Sequence, residues 1–472
     1  MRPWRQAGVV AVVLGLSACE VGPSYKSPTV PVEQTGQWVS LSSSTATSEE
    51  PPKQWWKLYQ DSQLDTFIEE ALTANTDLKV AEDNLSAARA ILEGTMAGRL
   101  PQTQLVTGAT RGRDAVTDEI LEIGGHPPRT IWKFDALFDV SYEIDLFGRV
   151  RRSIEAAQAD HEAVGATRDA VKITVAAETT RAYVQICALG EQIAVARHSL
   201  QVVGREAEIT LRRHEVGANS QFDVVRAEGL VAQARAAIPP LEGQQRAAWF
   251  QLAALLGRAP TNAPTDVLAC ARALLLKELI PAGDGSALLK RRPDVRQAER
   301  RLAAATARVG VATADLYPKI TLTGLFGGIG SEVNELATDR GVTWGVGPGV
   351  SWVLPDQVAL RARVRQAQAS TAAALETFDG TVLQALKEVE QALSIYRAEL
   401  DRREALTEAQ ERARRAFSMA HDQFVAGALS NLELLATEQS LVAIDAAASA
   451  SDATIAQDQI AIFKALGGGW QR

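Results

Sequence analysis

A short stretch that occurs twice in the chain constrains its fold more than any other feature. The first copy is residues 216–225, and the second, 210 positions later, is residues 426–435. In each copy a glycine ends one long helical pattern and a serine begins another. Glycine tolerates the left-handed backbone that ends a helix, and a serine at a helix start accepts a hydrogen bond from a free N–H group. Both copies therefore predict tight turns between long antiparallel helices. The turn residues are Gly217, Ser220, Gly427 and Ser430.

The correspondence between the two copies extends over most of the chain. With the same offset of 210, Glu228 matches Glu438, and further upstream an offset of 217 matches Pro101 with Pro318. Glycine, serine and proline positions agree together with acidic and alanine positions, which a chance alignment of two alanine-rich helical sequences would not give. The chain is therefore an internal duplication.

Composition and motif content argue against several classes of function. The net charge is −8 with acids and bases interspersed, so the sequence indicates no nucleic-acid partner. The three cysteines have no CxxC spacing and the five histidines form no HExxH motif, so we expect neither a metal site nor a cofactor. No nucleophile lies beside a base in a recognisable motif, and an enzyme is the least favoured class. After the N-terminus, no apolar run reaches the ~18 residues of a membrane-spanning helix, so any membrane insertion must use strands or lipid.

The N-terminus predicts a lipid-anchored protein of the bacterial envelope. Two arginines precede an apolar run and the sequence LSAC, which ends at Cys19. We interpret residues 1–18 as a signal peptide and Cys19 as the lipid anchor; an ordinary signal peptide with a coincidental cysteine is the alternative. Glu20, rather than an aspartate, favours sorting to the outer membrane. Residues 19–61 show no helical period and are predicted to form an extended, lipid-anchored segment.

Strand patterns follow in both repeats. In residues 134–146 apolar and aromatic side chains alternate with acidic or polar ones, and a weaker partner strand precedes them. The second repeat has the same arrangement, so β-hairpins are predicted at 101–147 and 318–355. An apolar face opposite a polar face is typical of a transmembrane β-barrel wall, although a half-buried sheet of a soluble protein gives the same pattern. Four strands per chain cannot close a barrel, because open edges are not tolerated in lipid, so two or three chains must contribute.

Long helices account for most of the remaining sequence. From residue 149 to about residue 214 there is no proline, and apolar residues recur at steps of three and four, as in a coiled coil. At 1.5 Å per residue such a helix is about 100 Å long. Helical hairpins are predicted at 149–256 and 360–466, and each is completed by a shorter helix that precedes the strands, at about 62–98 in the first repeat. The predicted fold class is α+β, with a barrel of strands continued by a coiled-coil barrel of helices to form a tunnel.

These elements divide the chain into a first repeat at 62–257 and a second at 284–466. Between them, the inter-repeat equatorial segment 258–283 contains three prolines and breaks both periodicities. Together with the N-terminal segment and the C-terminal tail 467–472, it is predicted to form a belt around the helices.

The sequence leaves open whether the two cysteines outside the signal region form a disulfide. Cys187 and Cys270 could form a disulfide in an oxidising periplasm. Because Cys187 lies in the middle of a predicted helix, two buried free thiols are the favoured prediction.

Several segments carry a resemblance to a known family. Besides the two tip motifs, they are CEVGPSY at 19–25, WWKLY at 55–59, EIDLFGR at 143–149, RRPDVRQAE at 291–299 and LGGGW at 466–470. In these segments, which span nearly the whole mature chain, the sequence resembles the outer membrane factor family of TolC-like channels, and within it the NodT-type lipoprotein branch.

The resemblance implies an assembly and its partners. It implies a homotrimer with a twelve-stranded barrel held in outer-membrane lipid and a helical tunnel across the periplasm, narrowing to a gate at the helical tips. Such channels dock a periplasmic adaptor protein and an inner-membrane pump, commonly of the proton-driven RND type, and passively conduct the pump's small-molecule substrates outwards. Two alternatives remain: a duct for type I protein secretion, which has the same architecture, and a lipid-anchored coiled-coil scaffold without a pore.

The resemblance also implies candidate gate residues. Family acids line the constriction at the tips, and the matching positions are Asp223 and Glu433; three carboxylates across a narrow pore would repel anions and concentrate cations. The alternative is that both acids only stabilise the starts of their helices. An arginine of some relatives is replaced by Leu429 and a tyrosine by Phe424, so a hydrophobic constriction involving Leu429 or Leu432 is expected in place of a polar latch.

Overall fold

The structure, a computed structural model, describes residues 20–29, 36–40, 46–113, 119, 122–125, 127, 130–354 and 357–468. Two predictions, the signal peptide at 1–18 and the lipid anchor at Cys19, lie outside the described residues, as do residues 469–472 of the C-terminal tail. The chain divides into two compact units. The first consists of residues 1–28, 86–164 and 298–378, and the second of residues 29–85, 165–297 and 379–472.

The first unit contains a four-stranded antiparallel sheet with the order β2-β3-β5-β6. The strands are β2 (Gln102–Gly112), β3 (Ile131–Ile144), β5 (Lys319–Gly330) and β6 (Val342–Ser351). Strands β2 and β3 form the hairpin of the first repeat, and β5 and β6 that of the second. Pairing of β3 with β5 joins the two repeats into one sheet.

The register of the sheet separates an apolar face from a polar one. Residues directly opposite each other lie on the same face, and Phe326 pairs with both Phe138 and Trp344. The apolar face carries Leu105, Phe134, Phe138, Val140, Leu322, Phe326, Trp344, Val346 and Val350. The opposite face carries Asp135, Asp139, Ser141, Glu143, Thr321 and Thr323, with glycines from β6, and also three apolar residues, Leu137, Leu325 and Ile329. Many of the apolar side chains are exposed in the single chain, Trp344 and Val346 among them.

Most of the chain is helical. The helices are α1 (Ser62–Ala74), α2 (Thr76–Met96), α3 (Arg149–Glu215), α4 (Gln221–Ala236), α5 (Ile238–Leu255), α6 (Gly285–Arg291), α7 (Pro293–Ala314), α8 (Val358–Val425) and α9 (Asn431–Ala465). Helices α3 and α8 have 67 and 68 residues, which corresponds to about 100 Å each. None of the helices among the described residues combines the length and the apolar character needed to cross a membrane.

Two helices that the sequence predicts as continuous are interrupted. The predicted helix 62–98 breaks at Asn75, whose side-chain oxygen accepts from the N–H groups of Asp77 and Leu78 while its amide donates to the carbonyl of Leu255. The second helix of the first hairpin breaks at Ala237, because the two prolines that follow lack the N–H groups that would continue it. The first break depends on a contact between Asn75 and Leu255, which are distant in the sequence, whereas the second has a local signal in the two prolines.

Elements of the N-terminal segment and of the equatorial segment pack together in the second unit. The short strands β1 (Ala46–Thr47) and β4 (Ile280–Pro281) pair in parallel, and a 3-10 turn at Trp55–Tyr59 precedes α1. Trp55 is fully buried and stacks on Phe463 with ring centroids 4.8 Å apart. Aromatic stacking of this kind fixes the N-terminal segment to the end of α9.

The prediction of two free thiols is wrong, because Cys187 and Cys270 form a disulfide. Cys187 is fully buried in the middle of α3, and Cys270 follows the 3-10 turn Asp266–Ala269. The two backbones approach closely at Gly190, one turn further along α3. A Cβ atom there would lie 2.1 Å from the carbonyl oxygen of Cys270. A glycine thus lets the equatorial segment lie directly on the helix, which brings a mid-helix cysteine within reach of its partner.

Candidate gate at the helical tips

The two repeats build their tips with the same backbone geometry. Gly217 and Gly427 have φ angles of 76° and 77°, in the left-handed region that favours glycine. The residue after each glycine donates from its N–H to a carbonyl in the last turn of the preceding helix, at 2.8 Å in both tips. Bonds of this kind satisfy carbonyls that the helix end leaves free. The duplication is therefore retained in individual hydrogen bonds.

Both candidate acids are held by the serine that begins their helix. Asp223 accepts from the backbone N–H of Ser220 at 3.0 Å and from its hydroxyl at 2.7 Å. Glu433 accepts from Ser430 in the same way, at 3.2 and 2.8 Å. In return each serine oxygen accepts from the N–H of the acid, which completes a capping box. These hydrogen bonds, the serine hydroxyl first, lower the pKa of both carboxyls, so both are anionic near neutral pH.

The apolar tip residues have different surroundings. Phe424 is 2% exposed and packs in a cluster with Ala420 and Leu434, with Leu429 at its edge. Leu432 is 51% exposed. Within one chain, Phe424 and Leu429 therefore contribute to packing inside the tip, whereas Leu432 presents an apolar side chain at its surface.

The contacts between the two tips were not predicted from the sequence. Arg213, at the end of α3, donates to the carbonyl of Phe424 at 3.1 Å, and its guanidinium lies 3.9 Å from the centre of the Phe424 ring. This combines a charge-assisted hydrogen bond with a cation–π contact. Close by, the hydroxyl of Thr210 donates to the side-chain oxygen of Asn431 at 3.3 Å. The side chain of Asn431 also contributes to the lowered pKa of Asp223. Polar contacts therefore join the two tips within one chain.

Comparison with known proteins decides the family. The family model described as outer membrane efflux protein matches residues 67–258 and 285–468. The chain belongs to the outer membrane efflux protein family. The pyoverdine export outer membrane protein OpmQ of Pseudomonas putida is 32% identical, over 99% of this chain and 98% of that protein. Nodulation protein T of Rhizobium leguminosarum bv. viciae is 29% identical, over 100% and 94%.

Solved structures of this family have the same fold. The structure of the outer-membrane channel OprN superimposes with a TM-score of 0.90 at 32% identity, and covers 96% of this chain and 100% of that one. Membership of the outer membrane efflux protein family confirms the predicted location in the outer membrane and the predicted role as the channel component of an efflux system. The role of this family is transport.

Proposed function

We propose that three copies of this chain form an outer-membrane duct that passively conducts small molecules delivered by a periplasmic adaptor and an inner-membrane pump of the RND type. In this assembly twelve strands form a closed transmembrane barrel, and the long helices form a periplasmic tunnel that narrows at the tips. The main support for this proposal is the four-stranded sheet. It has one apolar face, one polar face and two open edges.

The open edges require further copies. Strands β2 and β6 each pair on one side only among the described strands, so their outer backbone groups have no partner within the sheet. In a bilayer each unpaired group would cost several kcal/mol, so strands that enter lipid must close into a barrel. Three four-stranded sheets give twelve strands, enough to leave an open interior, whereas eight strands would be filled by their own side chains.

The polar and apolar faces indicate which side meets lipid. Exposed aromatic and β-branched residues, such as Trp344 and Val346, suit contact with lipid, and the carboxylates of Asp135 and Asp139 suit a water-filled interior. The small-molecule cargo is supported by relatives such as OpmQ, whose name specifies pyoverdine export.

At the tips we place the constriction at Glu433 and Leu432, with Asp223 contributing. Glu433 and Leu432 are exposed in the single chain, and the capping box fixes the direction of the Glu433 carboxylate. Three copies around a pore would form one acidic ring and one apolar ring. The acidic ring would favour cations, and the apolar ring would restrict the passage of water and solutes. Capping and gating are compatible, because the carboxylate that caps the helix keeps its charge.

The first test is the protein mass of the detergent-solubilised complex by light scattering, with the detergent contribution subtracted. A trimer, with about three times the mass of the mature chain, is expected. A monomer or a dimer would refute the twelve-stranded assembly. A trimer that fails to conduct ions in a planar bilayer would instead support the pore-less scaffold.

A pair of variants tests which face meets lipid. Val346→Arg places a charge on the apolar face and is expected to cost about 2–4 kcal/mol near the membrane midplane, which lowers the yield of assembled trimer in the outer membrane. Thr323→Arg, on the opposite face of the same pair of strands, is the matched control and should assemble normally. If Thr323→Arg blocks assembly and Val346→Arg does not, the assignment of the two faces is reversed.

A further inference from the structure

Three titratable side chains, one from each of three helices, lie behind the tips and influence one another electrostatically. They are Glu206 of α3, His421 of α8 and Glu438 of α9. Glu438 has no exposed surface, and neither of its carboxylate oxygens has a hydrogen-bond partner among the described residues. Glu206 is also buried, and one of its oxygens is equally without a partner there. Its other oxygen lies 3.6 Å from Nε2 of His421.

When both Glu206 and Glu438 are charged, their burial raises the free energy of the packed tip. Burial, and secondly the charge of Glu206, raises the pKa of Glu438 to about 7. Burial also raises the pKa of Glu206, while His421, Arg205 and Arg213 oppose that change. An uncompensated carboxylate in a low-dielectric interior takes up a proton rather than remain charged. Below about pH 7 the packed arrangement therefore favours a proton on Glu438.

Among the residues that the structure describes, the other neighbouring elements add no charge that compensates Glu438. Helix α4 contributes Ala227 and Leu230, which pack against Leu435 one turn before Glu438. On α8, Asp422 lies 3.9 Å from His421 and is largely exposed. The electrostatic influence on Glu438 thus comes from Glu206, which is an acid.

We propose that Glu438 and Glu206 form a proton-operated switch of the tip, in which a proton on Glu438 keeps α9 packed against α3 and α8, and its loss favours their separation. The switch rests on the proposed gating function of the tips, since it supplies a condition for their opening. It concerns an interior pair behind the tip and is independent of the Glu433 ring.

The direction of the pH dependence follows from the raised pKa. The packed tip binds a proton more tightly than an open tip in which Glu438 meets water and has its ordinary pKa of 4.5. Lowering the pH therefore stabilises the packed tip, and raising the pH towards and through 7 destabilises it. With these two pKa values the ratio of open to packed tips rises about tenfold between about pH 6 and about pH 8.

The internal duplication supplies a matched control. Glu228 occupies the position in the first repeat that corresponds to Glu438, and it is exposed. Glu438→Gln removes the titration while it keeps the size of the side chain, and Glu228→Gln makes the same chemical change on the surface. Glu206→Gln, a second interior variant, removes the neighbouring charge and should lower the pH at which Glu438 titrates.

Infrared spectroscopy of the purified wild-type complex tests the proton site without reference to conduction. The carbonyl stretch of a protonated carboxyl group is expected to disappear as the pH rises through about 7. The component of this signal that titrates near pH 7 should be absent in Glu438→Gln, unchanged in Glu228→Gln and shifted to lower pH in Glu206→Gln. Asp458, whose pKa is raised to about 6 by burial, should give a separate component at lower pH in every sample. A component near pH 7 that persists in Glu438→Gln, or none in the wild type near this pH, would overturn the proton site.

Conductance in planar bilayers tests the link to opening. In the wild type and in Glu228→Gln, the ratio of open to closed channels should rise between about pH 6 and about pH 8, by about tenfold if one tip controls opening and by about a thousandfold if the three tips open together. In Glu438→Gln this ratio should stay at the low-pH level. The same pH dependence in Glu438→Gln as in the wild type would refute the switch. If no variant conducts at any pH, the proposed channel function fails, and the infrared titration still decides whether Glu438 holds a proton.

Discussion

The Cys187–Cys270 disulfide permits a quantitative prediction about the stability of the chain. The two cysteines are 83 residues apart in the sequence. In the chain-entropy account, a cross-link of that span lowers the conformational entropy of the unfolded chain, which stabilises the folded state by about 4.5 kcal/mol at 25 °C. We expect Cys270→Ser, which removes the cross-link, to lower the free energy of unfolding by up to about 4.5 kcal/mol.

Cys270 is the better cysteine to replace. Cys187 is fully buried, so shortening it would add a packing cost to the loss of the bond. Cys270 is partly exposed, and a serine hydroxyl there can contact water. The Cys187 thiol stays in place as a small apolar group. The difference between wild type and variant then reports mainly the covalent bond.

Unfolding is followed by far-ultraviolet circular dichroism in guanidinium chloride, in one detergent, for three samples. They are the oxidised wild type, the wild type reduced in denaturant, and Cys270→Ser. The reduced wild type and the variant should unfold together, at lower denaturant concentration than the oxidised protein. If Cys270→Ser unfolds with the oxidised wild type while mass spectrometry shows the wild-type disulfide intact, the entropic reasoning is refuted.

Three further predictions concern the same helices. Gly190→Ala should lower the free energy of unfolding by more than about 1 kcal/mol, because the added Cβ atom would meet the backbone of Cys270. Gly204→Ala, on the same helix, places its Cβ atom in open space and should be neutral or stabilising. Thermal unfolding measures both effects. Glu433→Gln keeps a capping box and removes the charge, so in planar bilayers it should lower cation preference without loss of stability; unchanged selectivity would leave Glu433 as a cap alone. Arg213→Gln should weaken the contact with Phe424 that joins the two tips, by about 1–2 kcal/mol, and raise open probability. Arg212→Gln changes an exposed arginine beside it and should have neither effect. Equal effects of the two substitutions would refute the role of this contact.

The features that the sequence predicted are those whose signals are local. A glycine followed three residues later by a serine specifies a helix end and a helix start, and the backbone at Gly217 and Gly427 has the expected conformation. Strand alternation and helical periodicity likewise depend on near neighbours, because each side chain's direction is set by its own element. The two-fold repetition of these signals gave the order of elements in each repeat, and the segments shared with relatives gave the family.

Contacts between distant parts of the chain could not be predicted in this way. The disulfide depends on the equatorial segment lying on α3 at Gly190, and the tie at the tips depends on Arg213 meeting Phe424, 211 positions away in the sequence. The break at Ala237 is different, because the prolines at 239 and 240 are a local signal of it that the predicted continuous helix did not take into account.

Glu228 and Glu438 show the division between sequence and tertiary structure most clearly. The sequence by itself determined that both are glutamates at equivalent positions of two helices that start from equivalent turns. Only the tertiary structure decided that one of them is exposed and the other buried beside Glu206. The physical reason is that burial depends on which surfaces pack against a helix face. A carboxyl group's charge state in turn depends on that burial, so two identical residues in a duplicated chain can have different chemistry.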